Sequence, residues 1–481
     1  MSRLAHRASH FVLRIFLSVF FLVPVLCGGV VVAQDATSTA AAARTRYLAE
    51  AGVMPSSREI AVEEFVNYHR HQIGRPKAGE AVAMDLRWGN DQVGAGDEAV
   101  LQVGFSTALA NDRQQLRPIN MALVIDKSGS MAAADKMSRV KNALFKLVDQ
   151  LRETDMLSIV VFDSEAEVLL PARPLGDRDY VKRLIRQIEP GSSTNLHAGL
   201  MLGYHEALKN YRDDATNRVV LLTDGIANQG VTNPDEIAQN SLRFNQRGID
   251  LSTIGVGLDL NKDLLRELAK SGRGLFHFVA DAQDIEKVFI KEVQSLVSPV
   301  ASEPNVEIDY DSDLDLVQVY GYEPREGNGH VSIKLDNMNQ GMTQVIMMRF
   351  RASSSGLRGS SPSVRVRLSY RDLDGNDRVV KTDETFLKVR DRWYGKMLKD
   401  NEVAKNYTIA VLAQAIHEMA AAWEARQYGE AERVLDAAIA KARQLYPTQE
   451  DEDIARTLTI ARKYQEVIRR YNRDRRAKDD M

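Results

Sequence analysis

Oxygen-bearing side chains stand at alternating positions directly after an apolar run. The run INMALVI (119–125) is followed by DKSGSM, which places Asp126, Ser128 and Ser130 at positions i, i+2 and i+4. Oxygens with this spacing in a tight loop can converge on one point, and hard oxygen ligands suit Mg²⁺, Ca²⁺ or Mn²⁺. The same residues could instead cap the helix that follows. The stretch alone leaves both interpretations open.

Two further segments carry hydroxyl and acidic side chains of the same kind. GSSTNL (191–196) contains Thr194 and precedes a helical stretch, and LLTDG (221–225) ends a second apolar run with Asp224. In an open α/β sheet, ligands bind beyond the carboxyl ends of the strands, where the strand order reverses. We therefore expect three segments to direct oxygen ligands into one solvent-facing crevice. Helix capping alone does not predict this convergence.

The elements that must position these residues are strands and helices in alternation over residues 119–296. The apolar runs are INMALVID, MLSIVVFD, RVVLLTDG, DLSTIGVG and GLFHFV. The amphipathic stretches between and after them are MSRVKNALFKLVDQLR, NLHAGLMLGYHEALKN, NPDEIAQNSLRFNQRG and DAQDIEKVFIKEVQSL. Continuous apolar strands separated by helices are typical of a parallel sheet covered on both faces. The predicted fold class is therefore α/β, with a doubly wound, mostly parallel sheet.

The segments on either side of the α/β unit have another periodicity. Residues 81–118 and 297–392 alternate apolar and polar side chains with period two, as half-buried antiparallel strands do. We expect them to form one β-sandwich that the α/β unit interrupts. Asp374-Gly375 lies between two such strands and predicts a hairpin turn, because the spacing and distal Glu of a calcium loop are missing. Residues 400–481 show three apolar helical faces, which predict a small bundle.

The first 33 residues predict an export signal. Arg3, Arg7 and Arg14 precede a long uncharged apolar run that ends in small residues, so cleavage after Ala33 is expected. The run is also long enough to span a bilayer, and an uncleaved anchor is the alternative. Cys27, the only cysteine, lies in this segment, so the mature chain would contain no disulfide. We expect a periplasmic or secreted protein that contacts the membrane only if the signal stays uncleaved.

Residues 34–80 are predicted to be a linker followed by an N-terminal helix. The first part, to about residue 56, is rich in Ala, Ser and Thr, and a possible capping box of Ser56 and Glu59 begins the helix. His69 and His71 lie two positions apart, which is the wrong spacing for one face of a helix. They are interpreted as ordinary surface residues.

The composition excludes one class of partner. The chain of 481 residues is 44% hydrophobic and 27% charged, which is ordinary for a folded protein. Its formal net charge of -3 provides no basic field for nucleic acid.

The order of the oxygen-bearing motifs resembles the von Willebrand factor type A domain and its metal-ion-dependent adhesion site. The pattern D-x-S-x-S, a distal Thr and a distal T-D-G all fall within residues 119–296. The resemblance implies that Ser128, Ser130 and Thr194 bind a metal through their hydroxyls. It also implies that Asp126 and Asp224 hold metal-bound waters. The whole layout is similar to bacterial exported proteins of this class and to the inter-alpha-trypsin inhibitor heavy chains.

This ligand set favours binding over catalysis. Neutral hydroxyl ligands leave the ion with much of its charge and an open position, which an exposed Asp or Glu of a protein partner can fill. We expect a non-enzymatic adhesion or assembly module, with a scaffold subunit of a cell-envelope or channel-like complex as the alternative. A metal-assisted hydrolase would need a general base, and neither His197 nor His205 is obviously placed for that role. Lys127, beside the site, is expected to face solvent or an acid of the partner.

Overall fold

The computed structural model describes eleven stretches of the chain. They are residues 40–77, 79–108, 118–257, 260–279, 299–327, 329–335, 337–353, 361–372, 377–394, 398–447 and 450–479. The described residues form an α/β sheet, two larger antiparallel sheets and a group of C-terminal helices. The predicted fold class is confirmed.

The strands and helices are numbered in chain order. The strands are β1 (Val82–Trp88), β2 (Val93–Gly94), β3 (Glu98–Thr107), β4 (Ile119–Asp126), β5 (Met156–Phe162), β6 (Ala166–Pro174), β7 (Thr216–Thr223), β8 (Asp250–Val256), β9 (Arg273–Val279), β10 (Pro299–Tyr310), β11 (Leu314–Val319), β12 (Arg325–Gly327), β13 (His330–Lys334), β14 (Met338–Asn339), β15 (Thr343–Ala352), β16 (Ser363–Arg371), β17 (Asp377–Phe386) and β18 (Val389–Arg390). The helices are α1 (Ala40–Ala51), α2 (Val62–Val66), α3 (Lys136–Gln150), α4 (Arg178–Arg186), α5 (Leu196–Lys209), α6 (Pro234–Asn245), α7 (Lys262–Ser271), α8 (Asn401–Glu424), α9 (Tyr428–Leu445) and α10 (Glu452–Asp479).

The α/β sheet has the strand order β6-β5-β4-β7-β8-β9. The five strands from β5 to β9 in this order run parallel, and the edge strand β6 runs antiparallel to β5. The chain builds outward from β4 through β5 to β6, then returns to β7 on the other side of β4. The strand order therefore reverses between β4 and β7, and this is where an open α/β sheet forms its ligand crevice.

Helices cover both faces of this sheet. On one face, Leu123 of β4 belongs to the same buried cluster as Val140 and Leu144 of α3. On the other face, Val124 belongs to a buried cluster with Leu200 of α5 and side chains of α6 and α7. Because successive side chains of β4 point to opposite faces and both faces are buried, every residue of the strand can be apolar. This explains the apolar run over residues 121–125 that ends at the oxygen-bearing loop.

Strands from both sides of the α/β segment join in one antiparallel sheet. This sheet has the order β1-β3-β15-β11, and β3 pairs with β15 from Ser106 opposite Thr343 to Glu98 opposite Arg351. A second sheet, β12-β13-β10-β16-β17, packs against it through a shared buried core. Thr107 at the end of β3 donates a hydrogen bond to the carbonyl of Asn339, which pairs with Pro299 at the start of β10, so the chain enters and leaves the α/β segment at neighbouring points.

The segment before β1 differs from the predicted linker and helix. Residues 40–51 form α1, whose Leu48 and Ala49 are buried, because this Ala-rich stretch packs on the C-terminal helices. The predicted helix over 56–73 is reduced to a 3₁₀ turn and the five-residue α2. The side chain of Ser56 makes no capping hydrogen bond. Tertiary contacts have overridden the local composition here.

The C-terminal helices α8, α9 and α10 pack on one another and on α1 and α2. Asp400 caps α8 by accepting a hydrogen bond from the backbone N–H of Val403 at 2.9 Å. The buried cluster of this region includes Ile416 of α8, Leu435 of α9 and Leu458 of α10. These side chains belong to the three apolar faces that the sequence predicted.

Some predictions lie outside the described residues. They include the export signal at 1–33, the helix expected at 281–296 and the turn at Asp374-Gly375, although β16 and β17 on either side of that turn pair antiparallel. Within the described ranges, no helix has both the length and the apolar character needed to cross a bilayer.

Candidate metal centre

The loop after β4 holds the first three predicted ligands. Asp126 is the last residue of β4, and its carboxylate accepts a hydrogen bond from the backbone N–H of Ser128 at 2.7 Å. The chain then enters a 3₁₀ helix over Gly129–Asp135 that leads into α3. The hydroxyls of Ser128 and Ser130 lie 3.1 Å apart, so the alternating positions converge as the spacing predicted.

The neighbouring strand β7 brings Asp224 to the same place. Thr223, the last residue of β7, donates a hydrogen bond to Asp126 Oδ2 at 2.6 Å. Ser130 donates a hydrogen bond to Asp224 Oδ1 at 2.6 Å. The two carboxylates are thus linked by hydroxyls across the point where the strand order reverses.

Thr194 reaches the site from the loop before α5. Its backbone N–H donates to Asn228 Oδ1 at 2.8 Å, and its carbonyl accepts from the N–H of Asn228 at 3.1 Å. These bonds fasten the Thr194 loop to the loop after β7. A methyl group built on Gly225 would lie 3.4 Å from Thr194 Oγ1 and 3.9 Å from Ser130 Oγ. Two of the predicted hydroxyl ligands therefore face one small space, which the missing side chain of Gly225 leaves free.

The donor set fits a hard divalent cation. The structure brings together all five predicted residues, and three hydroxyls with two carboxylates provide only oxygen, which Mg²⁺, Ca²⁺ and Mn²⁺ prefer. Ser128, Thr194 and both carboxylates are buried, and Ser130 is exposed. The carboxylates are thus not at a solvent-facing surface as expected; the loops cover them.

Asp126 and Asp224 are two neighbouring carboxylates in a buried place, where negative charge is unfavourable. A bound cation would stabilise their charged forms. Burial is the largest cause that raises the pKa of Asp126, to about 6, and the nearby charge of Asp224 adds to it. Hydrogen bonds from Thr223 and Ser128 oppose this shift.

The lysine that contacts the site is Lys136 and not Lys127, which neighbours the site in the sequence. Lys127 turns away and its ammonium bonds the carboxylate of Asp163 at 2.9 Å, within this chain. Lys136, the first residue of α3, instead places its ammonium 2.7 Å from Asp224 Oδ2. Because Ser130 already bonds the other oxygen of Asp224, both oxygens of this carboxylate are engaged. Lys127 was expected to face solvent or an acid of a partner protein, and this is wrong because it pairs with Asp163 of the same chain. No sequence motif pointed to Lys136.

The histidines considered for catalysis lie on the outer side of α5. His197 Nε2 lies 3.1 Å from the side-chain amide of Asn240 in α6, and His205 Nδ1 lies 2.7 Å from the carbonyl of Met201. Both line a surface hollow with Arg243. Neither contacts any of the five predicted ligands in the hydrogen bonds described for the chain.

His69 and His71 are not the surface residues that their spacing suggested. Their side chains are 9% and 0% exposed, and they meet side chains of the C-terminal helices. A helical pattern could not reveal this because α2 ends at Val66, before either histidine.

Known proteins share both the domain and the wider layout. The family model of the von Willebrand factor type A domain matches residues 120–291. The uncharacterized protein YfbK of Escherichia coli strain K12 is 25% identical over 380 residues, covering 73% of this chain and 62% of that protein. Inter-alpha-trypsin inhibitor heavy chain H3 of Mus musculus is 30% identical over 213 residues, covering 42% of this chain and 23% of its own length. The chain thus spans less than two thirds of either relative.

A solved structure supports the fold. The von Willebrand factor type A protein from Catenulispora acidiphila superposes with a TM-score of 0.52 at 14% identity, covering 79% of this chain and 96% of its own. The resemblance that the motifs suggested is confirmed: residues 120–291 match the von Willebrand factor type A domain.

Proposed function

We propose that this protein binds a partner protein through a divalent cation held by Asp126, Ser128, Ser130, Thr194 and Asp224. The observation that carries the proposal is the convergence of three neutral hydroxyls in front of two buried carboxylates, at the reversal point of the sheet. Neutral ligands leave most of the charge on the ion, so a carboxylate from outside is a favourable further ligand. Mg²⁺ is the ion we favour, with Ca²⁺ and Mn²⁺ as the alternatives.

The surface beside the site supports a protein ligand. Ile226 follows Gly225 directly, and its side chain is 54% exposed. An apolar side chain next to a charged centre suits a protein surface that presents an acid with apolar neighbours. Asn228 and Gln229 are also exposed and offer polar contacts around it. We infer that the partner presents an exposed Asp or Glu.

We further propose that the protein acts outside the cytoplasm and is not an enzyme. Export rests on the order of basic, apolar and small residues at 1–33. The alternative role, as a scaffold subunit of an envelope or channel-like complex, uses the same metal site and requires the apolar run to remain as an anchor. The positions of His197 and His205, away from the five ligands, favour binding over hydrolysis.

The test is a comparison of partner capture and affinity with and without metal. Protein with a wild-type or Asp224→Asn site is used to capture partners from extracts of the cells that produce it, in Mg²⁺ and in EDTA. A specific partner should be retained only by the wild-type site in Mg²⁺. Its purified form should bind more tightly with Mg²⁺, by a coupling free energy of about 1–3 kcal/mol.

The partner's own carboxylate provides the second half of the test. Replacing its contacting Asp or Glu by Asn or Gln should lower the affinity in Mg²⁺ and leave the affinity in EDTA unchanged. Calorimetry across a Mg²⁺ titration measures both effects. An affinity that is the same in EDTA and in Mg²⁺ would reject binding through a metal bridge.

A further inference from the structure

Two buried imidazoles and a carboxylate meet where the segment after α2 packs against α8. His69 and His71 come from that segment, and Glu402 comes from the first turn of α8. One ligand atom from each of the three residues lies within 4.8 Å of the other two. We propose that His69, His71 and Glu402 form a second metal site, for a transition-metal ion such as Zn²⁺. It is separate from the oxygen site of the α/β unit.

The distance between His71 and Glu402 is close to the spacing of two ligands on one zinc ion. His71 Nδ1 lies 3.7 Å from Glu402 Oε1, and the two imidazole rings stand edge to face with their centres 4.7 Å apart. A tetrahedral zinc ion with bonds of about 2.0–2.2 Å separates its ligand atoms by about 3.4 Å. The three side chains are between 0% and 11% exposed, so they are already held by the packing around them. Ordering them for a metal would therefore carry little further entropic cost.

The hydrogen bonds around His71 direct a lone pair into the cluster. Asn67 donates from its side-chain Nδ2 to the carbonyls of Glu63 and Val345, so its Oδ1 is the acceptor. This Oδ1 lies 3.0 Å from His71 Nε2, which must then carry the proton. In the neutral ring the other nitrogen, Nδ1, carries the lone pair, and it lies 3.7 Å from Glu402 Oε1. An amide or carbonyl acceptor behind the distal nitrogen is also the usual support of a metal-bound histidine.

His69 has the same arrangement. Its Nε2 lies 3.0 Å from Asn406 Oδ1, so its Nδ1 is the nitrogen available to a metal. Burial, followed by the neighbouring His71, lowers the pKa of His69 to about 4, so its ring is neutral at pH 7. In the part of the chain that the structure describes, neither His69 Nδ1 nor His71 Nδ1 has a hydrogen-bond partner. Buried polar atoms without a partner are rare, and an ion bound by both nitrogens would satisfy them.

The neighbouring charged residues indicate which carboxylate would bind the metal. Asp453 Oδ2 lies 3.9 Å from His69 Nδ1, but it is bonded by Lys405 at 2.6 Å. Asp453 is also bonded by Arg456 at 2.8 Å, so its charge is already balanced. Glu402 is the carboxylate closest to His71, and it accepts a hydrogen bond from the backbone N–H of Gln72 at 3.1 Å. Two imidazole nitrogens, one carboxylate and one water would make a four-ligand site of the kind that Zn²⁺ accepts.

A metal here would fasten the N-terminal segment to the helices and the sandwich. Besides the bond from Gln72 to Glu402, the backbone N–H of His71 donates to Thr343 Oγ1 of β15 at 2.9 Å. The site thus lies at a junction of three parts of the fold. Its expected role is to stabilise this junction, because a ligand that binds only the folded chain raises its stability.

The test uses Zn²⁺ itself with the full chain carrying Asp224→Asn, which weakens the oxygen site. Calorimetry after removal of metals should show zinc binding, and added Glu402→Gln should remove one equivalent or weaken its affinity at least tenfold. Glu418→Gln, an exposed glutamate on the same helix, is the matched control and should leave zinc binding unchanged. Zinc should also raise the thermal midpoint in the Asp224→Asn protein and in the control, but not in the Glu402→Gln protein.

Folding and specificity are checked in the same experiment. The Glu402→Gln protein must keep its circular dichroism spectrum in EDTA; if it does not, His69→Gln replaces it with the same expected loss of zinc. The assignment is overturned if the Asp224→Asn protein takes up no zinc. It is also overturned if a folded Glu402→Gln or His69→Gln protein binds the same number of zinc ions with unchanged affinity.

Discussion

Replacing Lys136 by Met should strengthen the binding of Mg²⁺ to the oxygen site. The ammonium of Lys136 lies 2.7 Å from Asp224 Oδ2, and the carboxylate is fully buried. A cation that needs Asp224 must displace this ammonium. A hydrogen bond between charged groups contributes about 1.5–3 kcal/mol, so its removal should lower the Kd for Mg²⁺ by about tenfold to a hundredfold. Met keeps the length and apolar stem of the side chain.

The same substitution should destabilise the metal-free protein. Without Lys136, the buried carboxylate of Asp224 keeps its hydrogen bond from Ser130 but loses its counter-ion. The loss in folding free energy should be about the same 1.5–3 kcal/mol, because the contact is present only in the metal-free form. The thermal midpoint in EDTA should therefore fall, and the increase on adding Mg²⁺ should be larger than in the wild type.

Calorimetry at pH 8 and thermal unfolding with Mg²⁺ or EDTA measure the two effects. Lys141→Met is the matched control, because Lys141 lies on the same helix and bonds the exposed Glu189 at 3.0 Å. This control should bind Mg²⁺ as the wild type does. If Lys136→Met binds Mg²⁺ with unchanged or weaker affinity, the ammonium does not compete with the cation and the reasoning is refuted.

Further outcomes follow from the site and the fold. Asp126→Asn should abolish Mg²⁺ binding in calorimetry, and Thr194→Ala should weaken it by about tenfold; wild-type affinity in the Asp126 variant would mean that the site is misassigned. Because the pKa of Asp126 is raised to about 6 by burial, the Kd for Mg²⁺ should rise below pH 6 by up to about tenfold per pH unit. The stability of the metal-free protein should change in the other direction. The carboxyl of Asp126 has a pKa of about 6 in the folded chain and near 3.8 in the unfolded chain, so the folded chain takes up the proton first. This group should therefore raise the free energy of unfolding as the pH falls from 7 towards 4. Urea unfolding of wild type and Asp126→Asn should therefore differ in pH profile, and superimposable profiles would contradict it. Gly225→Ala should weaken Mg²⁺ binding without lowering the thermal midpoint in EDTA, because the methyl would lie 3.4 Å from Thr194 Oγ1 and fits the metal-free site; equal Mg²⁺ affinity in calorimetry would show that this space is not used. Isolated residues 297–392 should show no cooperative unfolding because β15 lacks its partner β3 from 81–118, and a cooperative transition would argue against a shared sandwich.

Local patterns determined the elements around the oxygen site. The apolar runs predicted β4 and β7 because a strand buried on both faces is apolar over most of its length. The alternating positions of Asp126, Ser128 and Ser130 after the end of β4 predicted that their side chains converge within one loop. Thr194 and Asp224 could be added because the strand order of an open α/β sheet brings particular loops together.

Local composition failed where packing decided the conformation. The Ala-rich stretch at 40–51 was predicted to be a linker, yet it is helical, and Thr45 accepts a hydrogen bond from Tyr464 of α10 through its backbone carbonyl at 2.9 Å. A short helix without a strong apolar face gains its stability from such tertiary contacts. The sequence of this stretch contains no signal of the surface that covers it.

The sequence by itself determined which residues could bind a metal in the α/β unit, because the spacing within a loop and the succession of strands and helices along the chain are local properties. Only the tertiary structure decided the charge that faces those residues. Lys136 meets Asp224 across 88 positions, and Lys127, next to Asp126, meets Asp163 instead. In the same way, His69 and His71 acquire Glu402 from the distant start of α8. The physical reason is that these contacts depend on how separate elements pack, and no periodicity within one element records where another element will lie.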